Sequence, residues 1–131
     1  MAEPAAQPQR LLMVLAVGFA IFTLLVTIVF FGWWAMKDRM MFGDEKYDAV
    51  RWMSPTPAHS CERGDMVLDV KQRLLHPGMA KSEVTSLLGR PSWEEPNQIE
   101  YDLGVCLWIV HGLRLYFDGQ ERLVHSAIVQ H

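Results

Sequence analysis

Residues 11–36 form an apolar run without a single charged side chain, and this run limits every fold open to the chain. As an α-helix at about 1.5 Å per residue it would be about 40 Å long, more than the roughly 30 Å hydrocarbon core of a bilayer. Gly18, Thr23, Thr27 and Gly32 interrupt it, and each threonine hydroxyl can return its hydrogen bond to a carbonyl one turn back. Trp33 and Trp34 stand just before Lys37, where indoles mark a membrane-water interface. The expectation is one membrane-spanning helix that meets the lipid bilayer through residues 11–36, after a tail at residues 1–10.

Rival explanations of the run fit less well. A cleaved signal peptide has an apolar region of about 7–15 residues and a small-residue cleavage site. This run is far longer and ends in two tryptophans. A lipoprotein signal needs a cysteine directly after the apolar stretch, and the first cysteine is Cys61. A helix apolar on all sides within a soluble core needs more surrounding protein than a chain of 131 residues offers. Beyond the run about 95 residues remain, enough for one small domain. The net charge is −3, with acids and bases interleaved, so there is no basic footprint for nucleic acid.

Residues 37–64 read as a juxtamembrane spacer. It would hold a short helix over residues 44–53, then an extended tether through Ser54-Pro55-Thr56-Pro57, because each proline pushes its predecessor out of the helical region. Met40, Met41, Phe42 and Trp52 read as interfacial or packing residues. Residues 65–131 read as a compact domain. Asp65 can cap a helix running to about His76, with Val67, Val70 and Leu74 on one face. A second helix turns Val84, Leu87 and Leu88 inward, carries Glu83 in its first turn, and stops at Gly89 ahead of Pro91.

Strand periodicity follows. Ile99, Tyr101 and Leu103 alternate with Glu100 and Asp102, and Leu113, Leu115 and Phe117 alternate with Arg114 and Tyr116. Asp118-Gly119 supplies a turn into a return strand over residues 123–129. The predicted fold class is α+β: two short helices packed on a three-stranded antiparallel sheet, preceded by one transmembrane helix. Between the first two strands, residues 104–112 are apolar without alternation. Two outcomes stay open for Leu107, Trp108 and Ile109: they complete a small core, or they form an exposed apolar tip that binds a partner.

Candidate chemistry is sparse. Cys61 and Cys106 are the only cysteines, and they are either a disulfide, as an oxidising compartment would allow, or two independent thiols. His59, Cys61, Cys106 and His111 do not have the spacing of a zinc site. Glu94 and Glu95 read as a solvated loop. With no nucleophile elbow, phosphate loop or helical His pair, the chain reads as non-enzymatic, without catalytic residues, metal, cofactor or small-molecule substrate.

The stretch Pro77-Gly-Met-Ala-Lys-Ser-Glu-Val-Thr-Ser-Leu-Leu-Gly-Arg-Pro91, with Leu115-Tyr-Phe-Asp-Gly119 and Arg122-Leu123, resembles the signature of the SmpA/OmlA (BamE-like) domain family over residues 65–130. Gly78, Met79, Val84, Leu87, Leu88, Gly89 and Pro91 carry it, and they are fold markers rather than reactive groups. The resemblance implies a fold of the BamE and β-lactamase-inhibitor kind, a place in the bacterial cell envelope, and binding to another envelope or membrane protein. An immunity or inhibitor protein that blocks a toxin or enzyme is the alternative it allows. Ala80 stands where the family has a capping Ser or Thr, and a transmembrane helix replaces the lipid anchor. The helix implies the inner membrane. The resemblance places the domain in the periplasm, while Lys37, Arg39, Lys46 and Arg51 against Arg10 would place it in the cytoplasm by the positive-inside rule.

Overall fold

The computed structural model describes residues 6–54 and 60–131, and the chain divides into two compact units, Met1–Asp38 and Arg39–His131. His59 and the Pro55-Thr56-Pro57 part of the expected tether lie outside the described residues.

Helix α1 spans Ala6–Met41, so the expected tail is already helical from Ala6. Gln7 and Arg10 are good helix formers, and Pro8 is tolerated in a first turn. Residues 7–40 are all exposed, and the helix is long and apolar enough to cross a membrane. Thr23 donates to the Phe19 carbonyl at 2.9 Å and Thr27 to the Thr23 carbonyl at 2.8 Å, so neither hydroxyl needs a partner outside the helix.

The second unit corrects the reading of residues 37–64 as a spacer. Phe42, the residue after α1, is buried in the core, and Trp52 is completely buried. Only Ala49–Met53 is helical here (α2), with Asp48 as its cap accepting from the Arg51 N–H at 2.9 Å. Residues 43–48 instead run along the next helix. The Gly43 N–H donates to the Asp65 carboxylate, the Glu45 N–H to the Asp65 carbonyl at 3.0 Å, and the Tyr47 N–H to Asp69 Oδ2 at 2.8 Å. A segment whose backbone groups are bonded this way is part of the domain.

Helix α3, Glu62–Asp69, therefore begins earlier than expected, with Asp65 inside its first turn and occupied by the incoming segment rather than capping. It runs into a π-helical turn, Val70–Leu74. Helix α4 spans Lys81–Leu88, and Gly89 ends it at φ 81, ψ −164, a conformation essentially confined to glycine. The start of α4 has half a capping box: Glu83 accepts from the Ala80 N–H at 3.0 Å, and Ala80 has no side-chain oxygen to reciprocate. Its far end is capped by aromatic donors. Tyr47 Oη donates to the Leu87 carbonyl, Trp52 Nε1 to that of Leu88 at 3.0 Å, and Tyr101 Oη to that of Gly89 at 2.8 Å. These bonds satisfy carbonyls that a helix end leaves orphaned. Burial raises the Tyr47 and Tyr101 hydroxyl pKa values, so both stay donors.

The sheet has four antiparallel strands in sequence order: β1 Trp93–Glu95, β2 Gln98–Cys106, β3 Ile109–Phe117 and β4 Leu123–Gln130. The three-stranded expectation missed β1, which pairs Trp93–Glu95 with residues 98–100 across Pro96-Asn97. All three of its residues are exposed, so no apolar alternation marks it, and Glu94 and Glu95 belong to a strand rather than a loop. One sheet face carries Ile99, Tyr101, Leu103, Leu113, Leu115 and Phe117. It forms one core with Met66, Val67, Val70, Val84 and Leu88 of the helices and with Phe42 and Trp52.

Candidate functional site

The strongest feature of the domain surface is the tip of the β2–β3 hairpin. The ladder continues to Cys106 opposite Ile109, leaving only Leu107 and Trp108 in the loop. Both residues have left-handed backbones, φ 48 and φ 68. A two-residue loop of this kind suits the twist of a hairpin but favours Asn-Gly, because a side chain costs about 1–2 kcal/mol at each left-handed position. Neither side chain recovers that cost inside the fold: Trp108 is 95% exposed and Leu107 57%. Ile109 and Val110 continue the apolar surface; Val110 belongs to the apolar stretch 104–112 but was not singled out with Leu107, Trp108 and Ile109.

Of the two outcomes left open for Leu107, Trp108 and Ile109, the structure has the exposed one. The core they would have completed is filled by Phe42 and Trp52, from the segment read as a spacer.

The base of the tip is fixed. Cys106, immediately before the loop, is joined to Cys61 at the start of α3, with their Cα atoms 5.0 Å apart and a sequence separation of 45. Gly64 lies against this bond. A Cβ there would collide with both Cys61 Sγ and Cys106 Sγ and lie 3.5 Å from the Phe42 ring, so only glycine lets α3 come this close. His111 is buried beside the same ring, edge to face at 5.1 Å. Its Nδ1 donates to the Ile109 carbonyl at 2.8 Å, which bonds the imidazole to the backbone just behind the tip. Its Nε2 has no hydrogen-bond partner among the described residues.

With both sulfurs in the disulfide, neither cysteine offers a thiolate, and among the described residues no three His, Cys, Asp or Glu side chains gather where they could hold a metal. The motif residues do structural work. Gly78 turns the chain at φ 87, Met79, Val84 and Leu88 are buried, Leu87 packs at the core margin, and Pro91 follows the Gly89 stop.

One polar cluster had no sequence signal, because it depends on long-range pairing. On the sheet face away from the helices, Glu100 accepts from Arg114 at 2.8 and 2.7 Å and pairs with His131. The Glu100 bond holds the Arg114 guanidinium pKa above its ordinary value, and that group also lies 5.5 Å from the Trp93 ring centre. Each charge is paired within the sheet, so the cluster reads as a clamp on three strands and the chain end. No protein-family model, curated protein or solved structure matches the chain.

Proposed function

We propose that the chain is a membrane-anchored, non-enzymatic protein-binding module of the bacterial cell envelope, an SmpA/OmlA-like domain held in the periplasm by an inner-membrane helix. The carrying observation is the edge of the sheet. Strand β4 pairs with β3 on one side, while its start is covered by Gly78 and Met79 through backbone bonds to Leu123 at 2.7 and 2.8 Å. From Val124 onward no strand covers the outer edge among the described residues. Residues 124–130 contain no Lys, Arg, Asp, Glu or Pro. Sheets usually protect long edges with such residues, and an unprotected edge is a template for an added strand from another protein.

The disulfide favours an oxidising compartment and outweighs the Lys and Arg count that points the other way. The turn at Gly78, the stop at Gly89 and the final hairpin are where the family motif expects them. Purification of the full chain in mild detergent tests the proposal. A second envelope protein should co-purify, and its recovery should fall several-fold with Val124→Lys, which charges the edge without touching the core. Recovery of this chain alone would overturn the reading.

A further inference from the structure

The hairpin tip lies at one particular end of the domain. Phe42, the residue after α1, packs beside the Cys61–Cys106 bond at Gly64, and Cys106 immediately precedes the loop. The chain therefore enters the domain from α1 at the end of the sheet that carries the tip. From Trp34 to Phe42 is about 12 Å of helix, and from Cys106 to Trp108 at most about 7 Å of extended chain. Along the chain, Trp33 and Trp34 mark the interface nearest to this point of entry.

The chemistry of the tip suits that interface. Residues 107–110 carry no titratable group, Trp108 is almost wholly exposed, and the left-handed loop is occupied by bulky apolar side chains rather than by the residues it favours. Backbone outliers of this kind are retained where the side chains serve something outside the fold. An indole with an apolar body and one N–H is the side chain most at home between acyl chains and headgroups.

We propose that Leu107 and Trp108 insert into the headgroup-acyl boundary of the bilayer that α1 spans, giving the domain a second attachment and leaving the β4 edge free for a protein. The inference rests on the membrane-anchored reading, and one experiment separates the two. The full chain is labelled with 5-fluorotryptophan and reconstituted in phosphatidylcholine nanodiscs, and each of its five tryptophan fluorine resonances is assigned by single Trp→Phe variants. Spin-labelled lipid and a water-soluble gadolinium chelate are then added in turn. Trp108 should broaden with the lipid label together with Trp33 and Trp34 and be spared by the chelate. Trp93, exposed at the far edge of the sheet, should do the reverse. If Trp108 follows Trp93 while Trp33 and Trp34 follow the lipid, the tip proposal fails and the anchor stands. If Trp33 and Trp34 also ignore the lipid label, both fail.

Discussion

Gly64 shows how a single position can be decided by contacts that no local pattern announces. Its missing side chain makes room for the sulfur of Cys61, one helical turn back, and for the Cys106 sulfur and the Phe42 ring, which come from distant parts of the chain. Gly64→Ala should destabilise the domain by about 1–3 kcal/mol, as other overpacking changes do, and a detergent-solubilised variant with an unchanged denaturation midpoint would contradict this. Ala80 is the opposite case. Its missing cap is legible from Glu83 three residues on, and the structure has the Glu83 half of the box alone. Ala80→Thr should add about 1 kcal/mol, and a lower melting temperature would refute that. Gly78 and Gly89 were readable because turns and helix stops are local events. Phe42 and Trp52 read as interfacial or packing residues, and both pack in the core; Gly64 gave no signal, because its role depends on what folds back against it.

Elements were legible where burial imposes a period. Helix α4 and the cores of β2 and β3 carry it, whereas β1 is exposed throughout and could be found only through its partner. Residues 43–48 were misread as spacer and as the start of a helix over 44–53, because the bonds that fix them come from Asp65 and Asp69 on α3. Asp69 also gives this seam a pH dependence. Hydrogen bonds from Arg73, and then from the Tyr47 N–H, hold its carboxyl at about 2, below the ordinary 3.8. The unfolded chain thus takes up the proton first, so the stability Asp69 confers is present above about pH 4 and disappears as the pH falls towards 2. In Asp69→Asn the acid limb of the unfolding profile should be shallower than in the parent. Identical profiles would show that the seam does not depend on this charge. The hairpin loop makes a prediction of opposite sign. The double change Leu107→Asn and Trp108→Gly supplies the residues the loop favours and should stabilise the domain by about 1–2 kcal/mol. A loss of stability would mean that the two side chains serve the fold.

At the scale of the molecule, the apolar run was the most legible feature, since length and composition suffice to identify a helix able to cross a membrane. That the folded unit begins at once after it was hidden, because a buried Phe42 and a lipid-facing phenylalanine look alike in a sequence. We propose a disulfide-closed domain anchored on the exported side of the inner membrane. The most direct measurement is labelling of intact cells with a membrane-impermeant maleimide, with and without prior reduction. Cys61 and Cys106 should take the label in unlysed cells, and only after reductant has opened their bond. Labelling that appears only once the cells are lysed, whether or not they were reduced, would put the domain in the cytoplasm and contradict the account.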